Sequence, residues 1–335
     1  MALSRYKYLA AALLAMACGT PEPVRTDYAG GALGTTYAIT VFTDRATDLQ
    51  PGIDSVFAAV NRSMSTYMPE SDISRINAGD TTVVTDAMFR EVLSASREIH
   101  RATAGAFDPT VGVLVDAWGF GPGEALEMTP ERVDSLLQYV GLEKVSVTAD
   151  NRIRKSAPGI RLDFNAIAKG YTIDRLAAML DAAGSGDYLI EVGGEVRARG
   201  RQLERGQPWR VGIDDPQAET DRTIKRVVTL TDRSMATSGN YRKFRIDPES
   251  GTRYVHTMDA LTGYPRTSNV LAVSVIAPDC MTADGYATAL MALELDAGRA
   301  LLAEAPDLEA YIIYADRDGA TREFMTEGFA RTVSE

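Results

Sequence analysis

Cysteine and histidine are almost missing from this chain of 335 residues, which holds two of each. Cys18, Cys280, His100 and His256 cannot build a Cys/His zinc site of the usual spacing, so any metal must be held by oxygen. If Cys18 is used otherwise, Cys280 is unpaired and no disulfide framework exists. Neither the GxGxxG of dinucleotide-binding folds nor the GxxxxGKS/T of P-loops occurs, although a nucleotide can still bind through other loops. No basic stripe is present: 46 acidic against 35 basic residues leave a net charge of −11, which argues against a nucleic-acid partner. Internal repeats and long low-complexity runs are absent too.

What remains is an ordinary globular composition, 45% hydrophobic and 24% charged. Such a length buries one large core or two. Residues 1–17 read as a signal peptide, with Arg5 and Lys7 ahead of the apolar run Leu9–Ala17, which is too short to span a bilayer. Ala15 and Ala17 lead into Cys18, an ending that resembles the bacterial lipoprotein signal, in which the cysteine is lipidated. Ordinary cleavage near Ala17 is the alternative, and either route exports the protein. Residues 18–27, polar with two prolines, read as a lipid-anchored tether. Residues 28–335 show no second linker and read as one domain.

TYAITVFT from Thr36 alternates as a half-buried strand does. Ile53, Val56, Phe57 and Val60 share one face of a helix, and Phe89, Val92, Leu93 and Ile99 mark a second, which carries His100 as a solvated or rim residue. Thr129, Pro130 and Gly141 read as N-cap, first residue and stop of a third helix. Strands are expected at YLIEV, WRVGI, RVVTLT, RYVHTM, LAVSVIA and AYIIYA, with helices near Ile167 to Ala183 and Thr282 to Leu295. Strand runs mixed with separated helices point to α+β.

Three segments carry chemistry. In MTADGYATALM (Met281–Met291), Thr282 as N-cap puts Asp284 in the first turn, with Thr288 four residues on and on the same face. A carboxylate and a hydroxyl so placed can hold a hard cation that bridges to phosphate; an Asp that merely faces the helix dipole is the plainer reading. RLDFNAIAKGYTIDRL (Arg161–Leu176) sets Asp163 at the end of an apolar strand and Lys169 at a helix start, where a lysine can meet phosphate. The loops GAFDPTVG (Gly105–Gly112) and MSTYMPESDISRIN (Met64–Asn77) hold Phe107 and Tyr67, which can stack on a flat ring or pack beneath the loop. HTMDALTGYP (His256–Pro265) sets a histidine in a dense polar turn.

LGTTY (Leu33–Tyr37), MSTYMPESDISRIN, GAFDPTVG, DFNAIAKGY, WRVGIDDP (Trp209–Pro216), ATSGNYRKF (Ala236–Phe244), HTMDALTGYP and ADGYATALM occur in the order seen in the ApbE family, which the chain resembles over almost its whole exported length. The resemblance implies a single large two-lobed α+β domain of mixed antiparallel sheets with flanking helices, ApbE-like and related to the T-fold. It implies an FAD:protein FMN transferase, which moves FMN from FAD onto a Thr or Ser of an acceptor protein with Mg²⁺ and releases AMP.

Carried over by motif, Asp284, Thr288 and the carbonyl of Ala166 are the implied Mg²⁺ ligands. Leu33, Tyr67, Ala106, Phe107, Asp108, Asp163, Lys169 and Met258 are the implied FAD contacts. His256 is the implied base, with Asp259 to orient it. Leu33, Asn165 and Ala260 depart from the commoner pattern, as do Glu191 and Glu195 around Gly193–Gly194. Relatives of this type include Mg²⁺-dependent FAD pyrophosphatases, and a non-catalytic flavin-binding lipoprotein is the reading from another class. The implied acceptors are exported subunits of NADH:quinone reductase or Rnf-type complexes. The implied place is the periplasmic face of the inner membrane, held there by Cys18.

Overall fold

The computed structural model describes residues 22–216, 223–239, 244–246, 253–266 and 268–334. Residues 1–17, Cys18 and the first residues of the expected tether lie outside them, as do residues 240–243 of the ATSGNYRKF segment.

The first half of the chain is mostly helical. It runs β1 (Val24–Ala32), β2 (Thr35–Thr43), α1 (Gln50–Met64), α2 (Asp72–Asn77), α3 (Ala87–Ala102), α4 (Gly112–Ala117) and α5 (Pro130–Leu137). The short strands β3 (Val145–Val147) and β4 (Ile153–Lys155) then precede α6 (Ala168–Ala182). Strands dominate afterwards: β5 (Asp187–Val192), β6 (Glu195–Arg199), β7 (Trp209–Asp214), β8 (Ile224–Leu230), β9 (Arg233–Gly239), β10 (Phe244–Ile246), β11 (Arg253–Val255) and β12 (Val270–Ala277). The chain closes with α7 (Cys280–Ala292), α8 (Leu295–Glu304), β13 (Glu309–Ala315), β14 (Thr321–Met325), α9 (Glu327–Thr332) and β15 (Val333–Ser334).

Eight strands form one sheet in the order β1-β2-β5-β6-β9-β12-β13-β14. Every pairing in it is antiparallel. Both faces are covered, which explains the unbroken apolar runs of β12 and β13. Val273, Val275, Ala310 and Ile312 turn toward α7, packing with Ala283, Ala287 and Leu290. Their neighbours Ala272, Ile276, Tyr311 and Ile313 turn the other way, onto Trp209 and Val228 of the small sheet β15-β8-β7 and onto Phe329. Period-two alternation thus feeds two cores from one strand. On the helix side, Ile39 and Val41 of β2 and Ile190 of β5 pack against Ile53 and Phe57 of α1 and Ile173 and Leu176 of α6. A separate core under α1, α2 and α3 centres on Phe89 and Phe164, whose rings meet edge-on at 5.0 Å. The architecture is the expected α+β of antiparallel sheets with helices.

Several boundaries differ from expectation. β1 begins at Val24, inside the stretch read as tether, because Val24–Ala32 pairs residue for residue with β2. Helix α5 has Thr129 as N-cap and Pro130 at its start, but it stops at Leu137, with Gly141 at φ 137° opening the next segment. Residues 160–164 are not a strand: only Arg161 bridges, to Val111. β11 covers three residues of RYVHTM and leaves His256 beyond its end.

Candidate active site

The centre of the site is the contact between the starts of α6 and α7. Asp279 is the N-cap of α7; its extended backbone lets its carboxylate accept from the Thr282 N–H at 2.8 Å. Thr282 is therefore inside the helix, and Asp284 lies in the second turn rather than the first. The helix dipole does not account for Asp284. A second carboxylate, Asp174 of α6, accepts from the N–H groups of Cys280 and Met281 at 2.9 and 2.8 Å. Burial pushes Asp174 up to about 6, against those bonds.

Asp284 and Thr288 share one face of α7, as the four-residue spacing dictates. Asp284 is 3% exposed, and its Oδ2 accepts from the Gly170 N–H at 2.9 Å. Burial pushes its carboxyl up to about 7, opposed by the Lys169 ammonium and reinforced by the negative charge of Glu195. The approach of α6 to α7 needs glycine at 170: a Cβ there would lie 2.2 Å from the Cys280 carbonyl oxygen. Thr288 Oγ1 donates to the Ala166 carbonyl at 3.4 Å and lies 3.4 Å from Ser238 Oγ. These long contacts leave the hydroxyl loosely held.

That set suits a hard cation. Mg–O bonds of ~2.1 Å at right angles place ligand oxygens ~3.0 Å apart, near the observed Thr288–Ala166 separation. Among the described residues, no group of three or more His, Cys, Asp or Glu side chains is placed to hold a metal. A cation at this junction would rely on one carboxylate, a hydroxyl and a carbonyl, with water or substrate oxygens in the remaining positions.

Lys169, in the first turn of α6, is ion-paired with Glu195, the first residue of β6. The Gly193–Gly194 turn brings Glu195 there; both glycines have positive φ, and Glu191 Oε1 accepts from the Gly194 N–H at 2.6 Å. The neighbouring β1–β2 turn holds Leu33 at φ 52° and Gly34 at φ 72°. The left-handed backbone is unusual for a leucine, and such positions concentrate at functional sites.

The remaining candidate loops are bonded to one another. The Asp163 N–H donates to the Pro109 carbonyl at 2.7 Å, joining the Asp163 segment to the Phe107 loop. Asn165 Nδ2 donates to Thr66 Oγ1 at 3.3 Å, joining it to Tyr67, a residue 61% exposed. The Tyr67 phenol is raised by partial burial and then by the charges of Asp163 and Asp116. Burial also raises Asp163, whose Oδ1 accepts from the Asn165 N–H at 2.7 Å. Leu261, in the His256 turn, reaches the loop from the far side, 3.4 Å from where a Cβ on Gly105 would stand. Trp118 Nε1 donates to the Gly263 carbonyl at 3.0 Å and pins that turn.

Several of these side chains also have structural roles. Asp108 is buried, closes its own loop and ties it to the segment after α5: Oδ1 accepts from the Thr110 N–H and hydroxyl at 2.7 and 2.6 Å, and Oδ2 from the Leu142 N–H at 3.0 Å. His100 stands at the rim, its side chain 24% exposed, and is held there: its Nδ1 lies 3.0 Å from the Phe107 carbonyl and 3.4 Å from Asp108 Oδ2, tying α3 to the loop. Phe107 itself is buried in the helical core, while Ala106 remains partly exposed. The Asp259 carboxylate closes its own turn, accepting from the N–H groups of Leu261 and Thr262 and from Arg266 Nη1 at 2.7 Å. Met258 packs among Leu114, Trp118 and Val133, and His256 is partly buried just before it. No local pattern announces the capping roles of Asp174 and Asp279. The sequence marked Glu195 only as a departure from pattern.

The sequence model of the ApbE family matches residues 33–312. The FAD:protein FMN transferase of Haemophilus influenzae is 34% identical over 91% of each chain. The solved ApbE flavin transferase of Vibrio cholerae superposes with a TM-score of 0.83 at 32% identity, covering 92% of this chain and 99% of that one. The flavinyl transferase of Pseudomonas stutzeri, in apo form, gives 0.81 at 30% identity, covering 93% and 97%.

Proposed function

The chain belongs to the ApbE family, and from that premise we propose that it moves FMN from FAD to a Thr or Ser hydroxyl of an acceptor protein, with Mg²⁺, releasing AMP. It is an enzyme of flavin transfer. The observation that carries the finer reading is the meeting of Asp284, Thr288, the Ala166 carbonyl and Lys169 at one helix junction, with the Asp163 segment that leads into it bonded to the Tyr67 and Phe107 loops.

FAD brings a pyrophosphate. A Mg²⁺ ion held by Asp284, Thr288 and Ala166 would supply charge neutralisation there. Lys169 adds a fixed positive charge beside the same helix start. The exposed Tyr67 ring offers a flat apolar face to the donor. The Phe107 loop, braced from within by Asp108, offers backbone groups to the donor. His256 takes the proton of the acceptor hydroxyl, a role for which imidazole is suited near neutral pH. The acceptor oxygen bonds to the FMN phosphorus as the bridge to the AMP phosphate breaks. The products are a phosphoester-linked FMN and AMP.

The N-terminal sequence supports export and anchoring through Cys18 at the periplasmic face of the inner membrane, where the acceptor is a subunit of an NADH:quinone reductase or Rnf-type complex. Among the described residues no helix is long and apolar enough to cross a membrane. Incubation with FAD, Mg²⁺ and such a subunit, followed by mass spectrometry of the subunit, tests the reading. An FMN adduct on a Thr or Ser is expected. Free FMN and AMP without any adduct would make the protein an FAD pyrophosphatase, and FAD recovered intact would leave it a flavin carrier.

A further inference from the structure

Glu195 is 3% exposed, yet only one of its carboxylate oxygens has a partner. Oε1 takes the Lys169 ammonium, while Oε2 is buried and accepts no hydrogen bond from the described residues. An orphaned buried acceptor is costly, so a structure keeps one where something else uses it. The surroundings point to that use. Lys169 is followed by Gly170, whose N–H reaches Asp284, and two buried carboxylates, Glu195 and Asp284, both act on the ammonium, Glu195 through the direct ion pair. Without Glu195, the ammonium has Asp284 as its remaining close counter-charge. It would then compete with a divalent cation for the carboxylate that the cation needs.

We propose that Glu195 is a positioning residue for the cation site: it holds the Lys169 ammonium away from Asp284, leaving that carboxylate to a divalent cation. The inference rests on the reading of Asp284, Thr288 and Ala166 as that site. Mg²⁺ sheds its water reluctantly, so a hydrated ion brings O–H donors to the neighbourhood, and Oε2 of Glu195 is an acceptor in want of one. The pair also fixes Lys169 at the helix start before any donor phosphate arrives. Glu195 acts on the reaction through its neighbours and touches no reacting atom.

The test is Mg²⁺ binding to the protein free of FAD, read by calorimetry and by the Mg²⁺-induced rise in Tm. Glu195→Gln should weaken binding ~10–100-fold, the usual effect of removing a group that orients a metal's ligands. Lys169→Met should bind Mg²⁺ at least as well as the wild type. The double variant should recover most of the loss, because no ammonium is left to occupy Asp284. That rescue is not expected if Glu195 only supports the fold, and the metal-free Tm of each variant reports folding. Wild-type Mg²⁺ affinity in Glu195→Gln, or a double variant as weak as the single one, overturns the proposal. Asp284→Ala, run alongside, separates the two levels: if it binds Mg²⁺ normally, the cation-site reading fails as well, whereas if only Asp284→Ala loses binding, that reading stands and the role of Glu195 falls.

Discussion

The N–H of Gly170 donates to Oδ2 of Asp284 at 2.9 Å, so the backbone of one helix anchors the candidate cation ligand of the next. The contact exists because residue 170 has no side chain: a Cβ would stand 2.2 Å from the Cys280 carbonyl oxygen and 2.8 Å from Asp284 Cβ. Neither atom can step aside without moving a helix.

Gly170→Ala is accordingly expected to destabilise the protein by about 1–3 kcal/mol, the range for overpacking a tight contact. It should also cut transfer far more than its stability loss explains, because Asp284 is displaced from Thr288 and Ala166. Tm and the transfer rate per folded molecule check this. A variant as stable and as active as the wild type would show that the helices separate freely.

Asp174 supplies a pH dependence. Its folded pKa, pushed up to about 6 by burial, lies above the ordinary carboxylate value. The folded state thus binds the proton more tightly, and the stability from this group is present below pH ~4 and lost as pH rises through about 6. Arg197, 3.2 Å away, and Asp279 act on it in opposite directions, and Cys280 lies beside it. Raising the pH from 4 to 7 should therefore cost the wild type up to roughly 3 kcal/mol more than Asp174→Asn, at 1.36 kcal/mol per pKa unit. Urea melts of both proteins at the two pH values measure it, and equal pH slopes would sink the assignment.

Helices with a clear apolar face and strands with long apolar runs were legible in the sequence, since both reflect burial that repeats along the chain. The strands β1, β6 and β9 were not: EVRAR and RSMATSG are short, polar and held by their neighbours in the sheet. The spacing of Asp284 and Thr288 predicted a shared face, and the structure has it. The N-cap was misplaced by three residues because Asp279 and Thr282 are both good caps, and only backbone geometry chooses between them. Glu195 and Lys169 are 26 residues apart, and nothing local in either segment announces the pair. The resemblance implies Asp108 as an FAD contact, and nothing local announces that its carboxylate also braces the loop through Thr110 and Leu142.

His256→Ala should lose transfer by about 10²–10⁴-fold while FAD binding is kept, because a general base acts on the acceptor hydroxyl and not on donor affinity. Equilibrium FAD binding and single-turnover transfer separate the two effects. Transfer at the wild-type rate removes His256 from the mechanism.

Cys18→Ser should move the protein from the membrane fraction to the soluble exported fraction, or leave its signal uncleaved. A diacyl anchor contributes ~0.8 kcal/mol per buried CH₂, enough for stable attachment. An unmodified mature N-terminus in the wild type contradicts the anchor.

Asp284→Asn isolates charge from structure. The amide oxygen can still accept from Gly170, so the α6–α7 contact has no reason to open. Removing a buried carboxylate whose pKa is pushed up to about 7 should leave the metal-free Tm unchanged or higher above pH 7, where the wild type carries a poorly solvated charge. Transfer should fall by ~10²-fold or more, since a metal contributes several kcal/mol of charge stabilisation at a phosphoryl centre. Excess Mg²⁺ should restore only part of it. Thr288→Ala should be milder, because a neutral hydroxyl contributes less attraction than a carboxylate and its contacts with Ala166 and Ser238 are already long. The deciding measurements are Tm at pH 8 and the transfer rate across a Mg²⁺ titration. If Asp284→Asn melts early yet transfers normally per folded molecule, Asp284 is a structural partner of Gly170 and the cation belongs elsewhere.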